Sequence, residues 1–468
     1  MKKLLIIYQL FFVSLLYGQE PIKGTIVNLD TNIPVGDANI YINNTSIGTI
    51  SNEDGQFVLM VPEKFKYENF LFSALGFETQ KRELFELQKD GSAIIKLIPN
   101  EILLDEIVIT TNKIKLNGSQ IVQKAFDNYY KNAPINPFVA KGFIRHTEKT
   151  EKEYKWLVEG AFEMYDSGYD KNDNVKINVI ETRKSLDNRI VDTAYVVRTY
   201  LREINNSSFK KNYKIAENYK DLTSTELNKA FAYYDNHYTS GYNKKHGVLE
   251  KILSTDINKI RYYDKKEASL SEKSLKQYAF KIDTIIGYGD EKTYKVKFSR
   301  SNKDSGKLDV GYLYILNRNF AITEIEYSVL LAKSHYRRKV TGQNILYSTT
   351  IKFKEFEDKM YPFYLLHKTF KINNLRSLKS LENSEESNST IGYLTQQEIL
   401  FSEIITQNQE VTKIASNSEF WNDNLFLNEK YNLSFWNNYN ILLESEEEQK
   451  FIKDLEKKVS LKKQFEQQ

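Results

Sequence analysis

Short alternations of apolar and polar residues, broken by glycine, proline and Asn/Asp turns, run through most of this chain and predict strands. The clearest block is Ile22 to Leu97. It opens with Gly24-Thr-Ile-Val, turns at Pro34 and reads Ala38-Asn-Ile-Tyr-Ile in period two. It turns again through Asn52-Glu-Asp-Gly55 and resumes as Gln56-Phe-Val-Leu-Met-Val. Runs this short are the pattern of an antiparallel sandwich. Pro34 fixes φ and suits a turn or an edge. Asp54-Gly55 is a tight-turn signal, because glycine takes positive φ without steric cost. Gly48 is expected to allow a similar turn or bulge. Ala38 and Phe57 are expected to face inward, small against large.

Ile94 to Ile98 and Ile107-Val-Ile109 close this first unit. A helix follows, capped by Asn117 or Ser119, with Ile121, Val122, Ala125, Phe126 and Tyr129 on one face. Pro134 and Pro137 stop it. From Phe138 the pattern returns to strands. Phe138 to Lys149 and Tyr154 to Tyr165 predict a hairpin, and Val175 to Ile180 alternates cleanly. Residues 187–236 read as mixed with helix, including a capping signal at Thr223-Ser-Thr-Glu226. Residues 236–281 are polar and read as loops with short helices. Four further runs follow with short connections: Gln277–Gly287, Lys292–Arg300, Lys307–Leu316 and Ala321–Leu330. In the last, Thr323, Ile325, Tyr327 and Val329 share one face. Asn344–Glu357, Tyr361–Ile372 and Ile391–Thr406 continue the sheet, which predicts an antiparallel meander, curved or partly closed. Ser445-Glu-Glu-Glu448 fits a capping box for a final helix carrying Phe451, Ile452, Leu455 and Val459.

Met1-Lys2-Lys3, the apolar run Leu4 to Tyr17 and then Gly18-Gln19 predict a secretory signal cleaved near Gly18. An uncleaved anchor is the other reading, but the run is short for spanning. The expected organisation is a signal peptide at 1–19, a sandwich at 20–110, a large antiparallel β-rich domain at 114–440 and a helix at 441–468. The chain's 468 residues exceed one ordinary core. Basic and acidic residues nearly balance, 66 against 62, and no basic block signals nucleic acid. With no cysteine, disulfides, thiolate metal sites and thiol nucleophiles are excluded.

The ordered set Gly24, Pro34-Val35, Ala38, Ile40, Ile42, Thr45, Gly48, Ser51, Asp54-Gly55 and Phe57 resembles the carboxypeptidase-regulatory-like domain. Phe70-Leu-Phe-Ser-Ala-Leu-Gly-Phe77 is similar to that family's later strand and closing turn. Leu104-Asp-Glu-Ile-Val-Ile-Thr110 resembles the segment that follows the domain in TonB-dependent transporters, although here a helix follows in place of plug and barrel. The resemblance implies a transthyretin-like sandwich, an envelope location and no peptidase site. The later strand–turn–strand runs are similar in pattern to the half-barrel of periplasmic lipoprotein carriers.

Few residues suggest chemistry. The five histidines, His146, His237, His246, His335 and His367, make no pair at the i,i+4 spacing of a metalloprotease helix. His146 and Glu148 share one face of a predicted strand. They are a partial metal set needing help from elsewhere or, as the favoured reading, His146 is simply exposed or hydrogen-bonded. No G-x-S-x-G elbow occurs. Ser207-Ser-Phe-Lys210 fits S-x-x-K by letters alone. Asp170, Asn172, Asn174 and Glu181 stand at the first, third, fifth and twelfth places of a calcium loop. Val175 replaces the turn glycine, so a polar hairpin loop is the favoured reading. Phe420-Trp421 and Phe435-Trp436 with Tyr439 are core or a platform for a sugar ring or lipid headgroup, core being favoured.

The expected fold class is mainly β: an N-terminal transthyretin-like β-sandwich followed by a large antiparallel β domain with accessory helices. The expected function is a non-enzymatic exported envelope protein, periplasmic or outer-membrane associated. It acts as a binding or scaffold component for a protein, glycan or lipid partner, without nucleic acid. No catalytic, cofactor-binding or metal residue is assigned, and no cofactor. Two alternatives stay open: a periplasmic lipid or lipoprotein carrier with a half-barrel cavity, and a hydrolase whose carboxylates are assembled by the fold.

Overall fold

The computed structural model describes residues 20–467 apart from 89–92, 101–115, 170–174, 190–192, 206–210, 212–213, 215–221, 234–275, 288–291, 303–304, 336–337, 340–341, 373–391, 418–424 and 426–429. The expectations for the signal segment, for 104–110, for the first calcium-loop positions, for Ser207–Lys210, for His237 and His246, and for Phe420-Trp421 lie outside the described residues.

The protein is mainly β, as expected. Its N-terminal part is a sandwich. β1 (Glu20–Asn28) is central in a three-stranded sheet, antiparallel to β4 (Gln56–Val61) and parallel to β7 (Ala93–Leu97). Facing it are β3 (Gly48–Ile50), β2 (Asn39–Ile42), β5 (Asn69–Ser73) and β6 (Gln80–Glu83), in that order. The period-two residues Ile22, Ile26, Ala38, Ile40, Ile42, Phe57, Leu59, Phe70 and Phe72 fill the space between the sheets. Helix α1 (Leu84–Gln88) adds Leu84 and Leu87. Gly55 turns the chain at φ 71°, where a Cβ would lie 2.3 Å from the Ile26 carbonyl oxygen. Gly48 is not a turn residue: it pairs with Tyr41 in β3, and the Ile40 carbonyl 2.7 Å from its Cβ position excludes a side chain.

Helix α2 (Gly118–Asp127) begins at the Asn117 capping box, whose side chain accepts from Gln120 N while Gln120 returns the bond. After α3 (Tyr129–Asn132) the chain enters a ten-stranded antiparallel sheet. Its strands are β8 (Phe138–Lys149), β9 (Tyr154–Asp166), β10 (Val175–Lys184), β11 (Ala279–Ile286), β12 (Thr293–Asn302), β13 (Lys307–Leu316), β14 (Ile322–Leu331), β15 (Ile345–Phe356), β16 (Lys359–Ile372) and β17 (Gly392–Ile405). Their order is β10-β9-β8-β17-β16-β15-β14-β13-β12-β11, so among the described residues the sheet is open, with β10 and β11 as its edges. Between β10 and β11, α4 (Thr193–Asn205) and α5 (Ser224–Tyr233) pack through Val196, Val197 and Ala230. Thr223 and Glu226 cap α5 reciprocally, as the sequence predicts.

Cross-strand register assigns the two faces. Ile144, Ile399, Leu365, Ile351, Ile325, Leu313 and Val296 stand opposite one another from β8 to β12. Each is at most 2 % exposed. Ile121, Val122, Ala125 and Phe126 of α2 belong to the same core. Two glycines on this face lie under the ring of their direct partner, Gly142 under Phe162 and Gly311 under Phe298.

The sandwich and the C-terminal segment cover the other face. Ile50, Phe143, Ala161, Phe363, Leu400, Trp436 and Leu442 form one buried cluster there. Ser46 Oγ donates to the Ile404 carbonyl at 2.7 Å and accepts from Ile404 N at 2.8 Å. Asn52 Nδ2 donates to the Glu444 carbonyl, and Met60 N donates to Asn440 Oδ1.

After β17 come α6 (Asn408–Ser416) and α7 (Leu433–Asn437). In place of the one helix expected over 441–468, the chain forms α8 (Gln449–Leu455) and α9 (Leu461–Glu466). Side chains take over the hydrogen bonds at the break. Gln464 Nε2 donates to the Leu455 and Val459 carbonyls, and Leu461 N donates to Glu456 Oε1. The Ser445–Glu448 capping box is present in both directions. Among the described residues no helix is long and apolar enough to cross a membrane.

Candidate functional site

His146 and Glu148 lie on the α2-covered face of β8, opposite Val158 and Trp156. His146 Nε2 is 3.3 Å from Glu148 Oε1, and its Nδ1 is 3.2 Å from the Gln397 amide nitrogen. Arg189 donates to Glu148 Oε2 at 3.2 Å and stacks on Trp156 at 3.8 Å. Both ring nitrogens and both carboxylate oxygens therefore have protein partners. The row continues through Gln397 and His367 to Thr349, which are cross-strand neighbours, and His367 Nδ1 lies 2.8 Å from Thr349 Oγ1. Among the described residues no group of three or more His, Asp or Glu side chains converges as a metal set. Glu181 sits inside β10, where a calcium loop would start its helix, and accepts from Asn432 Nδ2 at 3.4 Å.

The aromatic cluster at Phe435–Tyr439 is core. Trp436 is buried, edge-on to Phe143, with the Arg183 guanidinium 4.4 Å from its ring centroid. Phe435 stacks on Tyr439, whose hydroxyl donates to the Gly142 carbonyl.

The sandwich-covered face holds a buried charge network. Arg145, 1 % exposed, donates from Nε to Glu159 Oε1 at 2.7 Å. Its Nη2 donates to the Leu442 carbonyl and to Glu444 Oε1, both at 2.8 Å. Arg183 Nε donates to Glu159 Oε2 at 2.6 Å. Burial opposes the Glu159 charge, but Arg183 and Arg145 win and hold its carboxyl below the usual range. Glu398 goes the other way. Burial and Glu448 push it up to about 7, against the pull of Arg145. Tyr364 donates its hydroxyl to Glu398 Oε1 at 2.9 Å.

Along the same face, past Glu398, a pocket of about 420 Å³ opens. It lies where β15, β16 and β17 meet the β8–β9 turn and the start of α8. Leu346, Phe370, Leu394 and Tyr154 supply apolar surface; Lys149, Lys152, Lys368 and Lys450 supply charge. Lys368 stands between Ser348 and Gln396 in register, and Gln396 Nε2 donates to Glu448 Oε1, tying the C-terminal segment to the pocket wall. Lys149 donates to the Tyr154 hydroxyl at 3.3 Å. Among the described residues Lys152, Lys368 and Lys450 have no carboxylate within ion-pair reach. Glu153 is committed elsewhere, to Lys155 and Lys457, which hold it down to about 2. The volume falls in the range of ordinary small-ligand sites. The sequence did not reveal this pocket: its walls come from five separated segments, and its lysines read as solvated surface.

Residues 22–109 match the CarboxypepD_reg-like domain, and the N-terminal sandwich is such a domain. No curated protein matches the chain. Among crystal structures the chain is similar to a putative outer membrane lipoprotein-sorting protein domain from Vibrio parahaemolyticus, at 9 % identity and TM-score 0.22, over 63 % of this chain and 97 % of that one. It is similar to a LolA superfamily protein from Nitrosomonas europaea, at 9 % identity and TM-score 0.20, over 63 % and 95 %. A DUF1329 family protein from Desulfovibrio piger gives 6 % identity and TM-score 0.26, over 65 % and 98 %.

Proposed function

We propose that this chain is a non-enzymatic binding protein of the bacterial envelope, and that it takes its ligand in the pocket between the β8–β9 turn and α8. The export-like start of the sequence and the CarboxypepD_reg-like domain support the envelope location. One observation carries the binding reading: apolar surface and lysines that make no ion pair among the described residues line the same 420 Å³ space. A small ligand gains apolar burial there and fixes its orientation on a few charges. The sandwich and the C-terminal segment pack on the same sheet face beside it, and the Gln396–Glu448 hydrogen bond ties the C-terminal segment to the sheet there.

The carrier alternative puts the ligand against the α2-covered face. The rung from Ile144 to Val296 on that face is buried among the chain's own side chains, which favours the outer pocket. Native mass spectrometry of the full chain after incubation with an envelope lipid extract tests the reading. The expected result is a discrete added mass that Phe370→Asp removes while the thermal midpoint holds. Equal loading of both proteins, or no added mass on either, overturns it.

A further inference from the structure

We infer that this pocket selects an anionic amphiphile, one apolar chain ending in a phosphate or carboxylate head; this rests on the binding reading above. The order of residues along the strands carries it. Phe370 of β16 and Leu394 of β17 are direct partners, and both line the pocket. Two residues along, on the same face, come Ser348, Lys368 and Gln396 in register. The apolar rung and the polar rung are therefore neighbours, roughly 7 Å apart along the strand direction. A ligand over Phe370 and Leu394 therefore has one lysine a rung along the strands, Lys368, and another beside it across the strands, Lys149.

On the polar rung the charge comes from Lys368, with Glu398 the next carboxylate along the same face. Lys149 ends β8 opposite Leu394, beside the apolar rung, and Lys152 follows in the β8–β9 turn; Lys450 comes from α8. Of the three carboxylates in the lining, Glu153 is taken by Lys155 and Lys457. Among the described residues of the lining, four lysines stand against Glu151 and Glu447, both exposed at the rim, with Glu398 and Glu448 just beyond it on the Lys368 side. An anion with an alkyl tail satisfies the lysines and covers Leu346, Phe370 and Leu394 together; a neutral head leaves the charges unused.

Isothermal titration of the full chain with dodecyl phosphate, dodecyl maltoside and inorganic phosphate separates the possibilities. Dodecyl phosphate, below its micellar concentration, is expected to bind one to one and at least tenfold tighter than the maltoside. Inorganic phosphate is expected to give no saturable heat. The double variant Lys368→Gln/Lys450→Gln should lose about tenfold toward dodecyl phosphate and nothing toward the maltoside; circular dichroism checks its fold. Equal affinity for the two detergents overturns the anionic selectivity while the binding reading stands. Inorganic phosphate binding as tightly as dodecyl phosphate removes the need for a chain. No binding of any of the three overturns the inference and the binding reading with it.

Discussion

Arg145 and Glu398 stand directly opposite each other on β8 and β17 and form no ion pair. Arg145 spends its donors on Glu159, Glu444 and the Leu442 carbonyl, while Glu398 is left with the Tyr364 hydroxyl. The C-terminal segment causes this split: Glu444 draws the arginine away, and Glu448 adds negative charge beside Glu398. One carboxylate of the network is thereby held ionised and the other is held close to neutral.

Glu398→Gln should reveal that split through pH. The folded protein keeps a proton on Glu398 up to about 7, whereas the unfolded chain releases it near the ordinary glutamate value. Stability from this group is therefore full at pH 4 and is lost as pH rises toward 7. Glutamine removes the loss and still accepts from Tyr364. The expected gain in urea-unfolding free energy is about 1–3 kcal/mol at pH 8 and near zero at pH 4. A gain that does not change with pH would contradict the assignment.

Arg145→Met should cost about 3–5 kcal/mol, because Glu159 stays buried with Arg183 as its remaining partner. The same substitution frees Glu444 and the Leu442 carbonyl, so limited proteolysis should cut faster around 441–448. Adding Glu159→Gln should recover part of the loss, since the unpaired charge is then gone.

Gly311→Ala should destabilise by about 3 kcal/mol or prevent folding. Its Cβ would lie 1.9 Å from the Glu326 carbonyl oxygen and 2.5 Å from the Phe298 ring. Ser445→Ala should cost about 1 kcal/mol, because its Oγ accepts from Glu448 N in the turn that leads into α8. Thermal unfolding of both variants measures the contrast, and similar losses would contradict it.

Much of the fold was legible because alternation marks a strand wherever one face is buried. The hairpin expected at 138–149 and 154–165 is β8 and β9 within one residue, and the later runs match β11 to β17 closely. The Asn117 cap and the buried stripe of α2 were legible for the same local reason. Register across distant strands was not. Nothing local says that β8 pairs with β17, so neither the His146–Gln397–His367–Thr349 row nor the Arg145–Glu398 juxtaposition was readable. The break between α8 and α9 depends on where the Gln464 side chain reaches, which periodicity does not encode. Lys368 and Lys450 acquire meaning only when β16 and the C-terminal segment meet.

Hydrogen exchange of the full chain with and without dodecyl phosphate tests the central claim most directly. The account predicts slowed exchange confined to the turn at 149–154, the facing stretches of β15 and β16 around Ser348 and Phe370, and the start of α8. Slowed exchange in α2 and the strands it covers, with no change at the turn or α8, would place the ligand on the opposite face and contradict it.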